Sequence, residues 1–228
     1  ELKLENIGGI DGVILISASG GKHAPVIAER AAEMGKEVGL LTNNTKAPAA
    51  EFSDETHVFP KNPEPYTYNT STYMGFILAA TGENPRKILE FINTELEELK
   101  MPDFGKYLGY FLIVPEKFEG IVRMLQVKFI ELFGRRVARD VETFEYMKHA
   151  VTVVPSKELF ISFGRENSIF GKDRFFVPLP EWAGYGAMMA ASYYIIGKIQ
   201  KSHPPWFKEN LERYTEFVSK VFGQEIKP

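Results

Sequence analysis

The stretch that decides the fold is DGVILISASGGK, residues 11–22. Its centre, residues 13–16, is a short apolar run, which is typical of a strand buried on both faces of a parallel sheet. The run ends in small hydroxyl residues and glycines, and a helical pattern begins at His23. Glycines let the backbone approach a ligand, and the amide groups at a helix start attract anions. The turn is therefore a candidate phosphate site, in which Ser17 and Ser19 can each donate a hydrogen bond. A tight strand-to-helix turn without a ligand is the alternative.

Strand and helix patterns alternate from this turn to the end of the chain. A helix over residues 24–34 leads to a strand over 37–42, so we expect two parallel strands joined by a right-handed crossover. The later predicted strands are 56–60, 107–114, 159–163 and 174–178, with a short edge segment at 136–140. The later predicted helices are 70–81, 83–100, 115–133, 141–150, 181–200 and 206–221. This order predicts an α/β fold with two pseudo-repeated halves, residues 1–101 and 102–228, and helices on both sheet faces.

Composition and charge exclude several classes of protein. The chain has 44% apolar and 25% charged residues, as an ordinary globular protein does. Its net charge of -3 argues against nucleic acid as a partner, because phosphate-backbone binders usually carry a basic excess. The absence of cysteine excludes disulfides and thiolate catalysis, and it fits a cytoplasmic protein. No apolar run approaches the roughly 20 residues of a membrane span, and four scattered histidines have no metal-ligand spacing.

A second group of residues that could carry chemistry lies in the second half. Lys128 and Glu131 are three positions apart on one predicted helix, so their side chains share a face. That helix has an apolar face, and a carboxylate at the edge of such a face can act as a base. His149 lies one short helix later, and imidazole is suited to proton transfer. An ordinary salt pair and a surface histidine are the alternative.

Two residues between these groups are further candidates. Glu64 lies in a proline-flanked loop, where it is either a second carboxylate of the site or an ordinary loop charge. Thr70 lies at a predicted helix start, where its hydroxyl could bind an anion. Threonine at that position is more often a plain N-cap.

Taken in order, these segments resemble the two-domain sugar isomerase (SIS) family. That family includes the isomerase domain of glucosamine-6-phosphate synthase and the archaeal phosphoglucose/phosphomannose isomerases. Residues 13–22, VILISASGGK, resemble its strand and S-x-S-G-x-T phosphate turn, with Lys22 in place of the usual threonine. Residues 38–44, VGLLTNN, resemble the next strand and its T-N turn.

The resemblance continues through the second half of the chain. Residues 62–64, NPE, followed by Thr70, resemble the family's G-P-E and Ser-Thr-Lys helix start. Residues 128–131, KFIE, resemble the K-x-K-E helix that supplies the catalytic glutamate. His149 resembles the histidine of the family's H-G-P turn. The resemblance implies a three-layer αβα parallel-sheet fold whose first half is shortened at its N-terminus.

The chemistry that the resemblance implies is the interconversion of an aldose phosphate and a ketose phosphate through a cis-enediol, without a cofactor or a metal. Glu131 would move the proton between C1 and C2, and His149 would assist ring opening. Lys128 would orient Glu131 or stabilise the enediolate. The implied substrate-binding residues are Ser17, Ser19, Gly20, Lys22, Thr42, Glu64 and Thr70.

The resemblance also implies a homodimer with a shared active site, to which the neighbouring subunit contributes His149. The expected partner is a small-molecule sugar phosphate, and neither nucleic acid nor a membrane is expected to bind. Two other functions stay open from the sequence: a non-catalytic phosphosugar sensor and a sugar-phosphate deaminase.

Overall fold

The structure, a computed structural model, describes residues 8–60, 70–150, 156–204, 209–223 and 225. The chain divides into two compact units, residues 1–75 and 76–228, whereas the sequence pattern predicts halves that meet at 101 and 102. None of the described helices combines the length and the apolar character that crossing a membrane requires.

The first unit contains a parallel sheet in the order β1-β2-β3. Its strands are β1 (Gly12–Ile16), β2 (Glu37–Thr42) and β3 (Glu55–Val58). Helix α1 (His23–Glu33) connects β1 to β2, and a 3₁₀ turn (Pro48–Phe52) precedes β3. The predicted βαβ unit is confirmed.

The core of the first unit lies on one face of this sheet. Leu40 of β2 is fully buried, and it belongs to the same cluster as Ala28 and Ala31 of α1. The alternate β1 side chains, Ile14 and Ile16, are 65% and 41% exposed. The prediction that β1 is buried on both faces is therefore wrong, because α1 packs on one face and the alternate residues point away from it.

The second unit contains a parallel sheet in the order β5-β4-β6-β7. Its strands are β4 (Gly109–Val114), β5 (Ala138–Thr143), β6 (Glu158–Phe163) and β7 (Asp173–Val177). Helix α2 (Thr70–Thr81) contains the division between the units. The helices that follow are α3 (Pro85–Phe91), α4 (Val122–Phe133), α5 (Phe144–Ala150), α6 (Tyr185–Ser202) and α7 (Leu211–Phe222).

Strand β4 lies at the centre of the second unit, and all six of its residues are buried. On one face, Phe111 and Ile113 share a core cluster with Met147 of α5. On the other face, the Tyr110 ring lies 6.3 Å from that of Phe129 in α4, between ring centroids. A central strand with helices on both sides confirms the three-layer αβα fold class.

Helix α3 packs within the second unit. Ile88 of α3 shares a core cluster with Ala183 and Ala187, and the rings of Phe91 and Trp182 meet edge to face at 6.2 Å. These contacts lie within the second unit, which begins at residue 76. The local sequence pattern that predicts strands and helices contains no information about contacts between segments that are almost one hundred residues apart.

Several predicted helix bounds are corrected by the structure. The segment 141–143 continues strand β5, because the backbone of β5 pairs with β4 as far as Thr143. The helix predicted over 115–133 is a 3₁₀ segment, Glu116–Ile121, followed by α4. The helix predicted over 83–100 is α3 followed by a π-helical turn, Ile92–Leu96.

The connection between β6 and β7 is a strap rather than a helix. Parallel strands usually need a crossover of a dozen or more residues, but residues 164–172 connect this pair without a helical segment. Arg174 stabilises this strap of residues 164–172, because its guanidinium donates hydrogen bonds to four of the strap's carbonyl oxygens, at 2.8–3.1 Å. In the first unit, a helix connects the strand that ends before Ser17 to the next strand. In the second unit, the strap connects β6, which contains Ser162, to the next strand.

Candidate functional site

The turn over residues 17–22 connects the carboxyl end of β1 to the start of α1. The Ser17 Oγ accepts a hydrogen bond from the Gly20 amide at 3.2 Å, and the Ser19 Oγ accepts one from the Gly21 amide at 3.2 Å. Each hydroxyl hydrogen is then oriented away from the amide that it faces and can be donated to a ligand oxygen. The turn requires glycine at position 20, where φ is +62° and a Cβ atom would lie 2.3 Å from the Cβ of Ala47.

The carboxyl end of β2 holds this turn in place. Thr42 is 3% exposed, and its hydroxyl donates to the Ala18 carbonyl oxygen at 2.9 Å and accepts from the Asn44 amide at 3.2 Å. The Asn44 side-chain amide donates to the Ser19 carbonyl oxygen at 2.9 Å. The hydroxyl of Thr42 is therefore engaged with the backbone of the turn, which gives this residue a supporting position.

Helix α1 begins directly after the turn. Its N-cap position is Lys22, which has a φ of 55°, and no side chain among the described residues caps the helix start. The first turn of α1, residues 23–25, carries no acidic side chain. A helix start with a basic residue, and with no carboxylate in its first turn, has the charge distribution that favours an anion.

The corresponding strand end in the second unit is built differently. The Ser162 Oγ accepts a hydrogen bond from the Asn167 amide at 3.2 Å, much as Ser17 accepts from Gly20. The chain then enters the strap of residues 164–172, so no helix start follows Ser162 within this described segment. In the turn after β1, by contrast, a serine at the end of a strand is followed by the start of a helix.

Glu131, Lys128 and His149 lie in the second unit. The Lys128 Nζ donates to the Glu131 Oε2 at 2.7 Å, and the lysine side chain is 10% exposed whereas that of the glutamate is 50% exposed. Glu131 lies in the last turn of α4, and His149 is exposed in the last turn of α5. The predicted contact between Lys128 and Glu131 is present, and the glutamate of the pair faces solvent.

The two remaining predicted residues cannot be placed in a site. Glu64 lies outside the described residues. Thr70 is the first residue of α2, as the pattern predicts, and its side chain is outside the described part of the chain. Among the described residues, no cluster of histidine, aspartate and glutamate could hold a metal ion.

A cavity of about 590 Å³ opens at the carboxyl ends of β4 and β5. Its wall combines the 3₁₀ segment after β4 and the starts of α4 and α6 with residues at the end of β5 and in α5. The polar lining residues are Glu116, Glu119, Arg123, Glu142, Tyr146 and Tyr185. Ligands of parallel α/β sheets commonly bind at this edge, although none of these residues stands out in the sequence patterns.

Glu142 is the titratable group whose surroundings most favour the neutral form in this cavity. Burial raises the pKa of its carboxyl, and repulsion from Asp140 and Glu119 raises the pKa further, against one backbone hydrogen bond that lowers it. Perturbed carboxyl groups in clefts are candidates for acid–base chemistry. Sequence patterns do not single out Glu142 as a site residue, because the polar residues of β5 are typical of an edge strand.

Glu83 is a second residue that sequence patterns miss. Its carboxylate accepts hydrogen bonds from the amides of Gly184, Gly186 and Ala187, at 2.7–2.9 Å, at the start of α6. Burial opposes the charged form, but these three amides and the Thr81 hydroxyl outweigh it and lower the pKa of Glu83. The residue therefore acts as the N-terminal cap of a helix one hundred residues away in the sequence.

Comparison with known proteins adds information about the fold. No family model matches the chain, and no curated protein sequence matches it significantly. Among solved structures, the chain is similar to glucosamine-6-phosphate deaminase from Thermotoga maritima, with a TM-score of 0.60 and 14% identity over 84% of this chain and 70% of that one.

Two further solved structures have the same fold. One is a protein provisionally described as a phosphosugar isomerase, from Silicibacter pomeroyi, with a TM-score of 0.57 and 13% identity over 84% of this chain and 72% of that one. The other carries the same provisional description, comes from Clostridium difficile 630, and has a TM-score of 0.51 and 11% identity over 84% of this chain and 70% of that one. The chain therefore shares the αβα fold of these proteins.

Proposed function

We propose that the protein is a sugar-phosphate enzyme that interconverts an aldose phosphate and a ketose phosphate. The observation that carries the proposal is the turn over residues 17–22. Two oriented hydroxyls, a glycine backbone and a helix start led by Lys22 together suit a phosphate group. The proteins of similar fold are named for glucosamine 6-phosphate and for phosphosugars, which supports the same class of ligand.

In this proposal, Ser17, Ser19 and the backbone at Gly20 hold the phosphate, and the Lys22 ammonium pairs with it as a point charge. Thr42 keeps the turn in shape through its bonds to the backbone. Glu64 and Thr70 stay candidate ligand residues by resemblance.

Glu131 is the candidate base by resemblance, and His149 the candidate acid for ring opening. The 2.7 Å contact between Lys128 and Glu131 supports a role of the lysine in orienting the carboxylate. The base would take the C2 proton of the open-chain aldose while O1 takes a proton, which gives the enediol. Return of the proton to C1, with loss of the O2 proton, would give the ketose. No step of this scheme requires a metal or a cofactor.

The test is turnover of fructose 6-phosphate by the wild type and three variants. Ser19→Ala should weaken substrate binding, whereas Glu131→Gln should lower kcat by about 100-fold or more if Glu131 transfers the proton. Glu90→Gln is the matched control, since Glu90 is an exposed glutamate of α3. If the wild type binds the substrate tightly but does not turn it over, the protein is a sensor and not an enzyme. The solvent exposure of the Glu131 side chain favours this alternative. Release of ammonia from glucosamine 6-phosphate would replace the isomerase with a deaminase.

The proposed homodimer with a shared site has its own test. Light scattering gives the oligomeric state, and mixing Ser19→Ala with His149→Ala tests for sharing. If each subunit completes the other's site, the mixture is more active than both parent variants at a low substrate concentration, at which Ser19→Ala is impaired. A monomeric wild-type protein that is fully active would contradict this part of the proposal.

A further inference from the structure

The cavity at the carboxyl ends of β4 and β5 is a ligand-sized space that the proposed function does not use. Its volume of about 590 Å³ lies within the usual range for small-molecule pockets, roughly 300–1,000 Å³. All of its lining residues belong to the second unit, and neither Glu131 nor His149 is among them. A ligand of this cavity therefore needs no residue of the first unit.

Two tyrosine rings contribute to the wall of the cavity. Tyr185 is held in place by Phe118, whose ring it meets edge to face at 5.3 Å between ring centroids. Gly120 lets the backbone approach this tyrosine, because a Cβ atom there would lie 3.3 Å from the Tyr185 hydroxyl. Tyr146 of α5 supplies the second ring, and Val122 adds apolar surface. A chain of methylene groups can pack on this part of the wall.

The charged groups of the lining are mostly acidic. They are the carboxyl groups of Glu116, Glu119 and Glu142 and the guanidinium of Arg123. Lys117 lies in the same segment but is engaged elsewhere, because its ammonium donates to the Ala183 carbonyl oxygen at 3.2 Å and lies 4.7 Å from the centre of the Phe118 ring. This excess of carboxylates over cations favours a positively charged ligand and disfavours a phosphate group.

The surroundings of Glu142 indicate that this negative charge is not compensated within the cavity. Burial raises the pKa of its carboxyl, and repulsion from Asp140 and Glu119 raises the pKa further. The start of α6 does not supply the missing positive charge, because its first amides already donate to the Glu83 carboxylate, at 2.7–2.9 Å. A bound cation would relieve the repulsion between these carboxylates.

The carboxylates of the lining suit a ligand whose positive charges are spread along a chain. Among the described residues, no group of acidic and histidine side chains is placed to hold a metal ion, so the three lining glutamates do not converge on one point. Separate carboxylates can each accept hydrogen bonds from a different ammonium group. The face of a tyrosine ring also attracts an ammonium group.

We propose that this cavity binds a linear polyamine. The ammonium groups of the ligand pair with Glu116, Glu119 and Glu142, and its methylene chain packs against the rings of Tyr146 and Tyr185. The inference goes beyond the proposed function, because the polyamine is neither substrate nor product of the isomerase. The cavity is a second ligand site, at which binding involves no chemical step.

The first experiment is calorimetric titration of the wild type and three single variants with spermidine, a linear triamine. Glu142→Gln should weaken the affinity about fivefold, whereas Arg123→Gln, which removes the opposing cation, should strengthen it by a similar factor. The control Glu90→Gln, at an exposed position of α3, should bind as the wild type does. Absence of binding by the wild type, or equal affinities in all three variants, overturns the inference. If Glu142→Gln does not fold, an unchanged affinity in Arg123→Gln is sufficient to overturn it.

The second experiment locates the ligand in the cavity. Tyrosine ring signals of the wild-type protein are followed by NMR as spermidine is added, with magnesium chloride at equal ionic strength as the control titrant. Tyr146→Phe and Tyr185→Phe assign the two signals. The inference predicts that spermidine shifts both signals and that magnesium shifts neither, and unshifted signals or equal shifts with magnesium overturn it. Neither experiment uses a sugar phosphate, so failure of the proposed isomerase and failure of this inference are distinguishable.

Discussion

The carboxylate of Glu83 provides the sharpest stability prediction, for the change Glu83→Ala. One carboxylate oxygen accepts from the amides of Gly184 and Ala187, both at 2.9 Å, and the other accepts from Gly186 at 2.7 Å and from the Thr81 hydroxyl at 2.8 Å. Alanine leaves the first amides of α6 without these acceptors and removes a negative charge from the helix start.

The magnitude follows from these contacts. Each hydrogen bond to a charged group is worth about 1.5–3 kcal/mol, but the bonds are not additive, and water can replace part of them at this partly exposed position. We therefore expect Glu83→Ala to lower the free energy of unfolding of the second unit by about 2–4 kcal/mol. Glu83→Gln should lose roughly half as much, because its single carbonyl oxygen keeps one pair of acceptor bonds.

The assay is urea unfolding followed by circular dichroism, with Glu90→Ala as the control on an exposed position of α3. Since folding lowers the pKa of Glu83, its contribution is fully present above its ordinary value of 4.5 and is lost as the pH falls through the lower folded value. The difference between the wild type and Glu83→Ala should thus be constant above about pH 5 and shrink below it. A loss for Glu83→Ala that matches Glu90→Ala, or that does not depend on pH, would refute the capping role.

Three other changes test the supports of the two units. Gly20→Ala should destabilise the first unit by about 2 kcal/mol or more, because φ is positive there and the new Cβ would meet Ala47 at 2.3 Å. Phosphate affinity should fall with it, as measured by calorimetry. Thr42→Val should remove the hydroxyl beneath the turn and lower stability by about 1–3 kcal/mol, as measured by thermal unfolding. Tyr110→Phe should cost about 1 kcal/mol in urea unfolding, because the buried hydroxyl, whose pKa burial raises, donates to the Phe104 carbonyl oxygen at 2.7 Å.

Each of these changes has a matched control and a contradicting result. Gly35→Ala also changes a glycine with positive φ, but nothing lies within 4 Å of its added Cβ, so it isolates the backbone contribution. Equal losses for the two glycine variants would contradict the close approach at Gly20. An unchanged thermal unfolding midpoint in Thr42→Val would argue against the supporting role of this residue. An unfolding midpoint of Tyr110→Phe at or above that of the wild type would show that the hydroxyl contributes nothing net.

Much of the fold follows from local patterns in the sequence. The apolar runs that become β1, β4 and β6 are long enough to be recognised as strands, because a short apolar run bounded by turn residues is typical of a strand. The sequence pattern assigns the end of β5 to a helix, because β5 is an edge strand with polar residues, and only its backbone pairing with β4 extends it to Thr143. The apolar pattern of an edge strand is weak, because backbone pairing with the neighbouring strand, and not burial of its side chains, determines its structure.

The sequence by itself determined the α/β alternation and the Ser–Gly turn after β1, since strand, turn and helix signals each lie within a few residues of one another. Only the tertiary structure decided that Glu83 caps α6, that residues 164–172 form a strap, and that Glu142 lies in a cavity. Each of these features depends on contacts between residues that are distant in sequence or on the space between packed elements. Local periodicity indicates which face of an element is apolar, but it does not indicate which other element that face packs against.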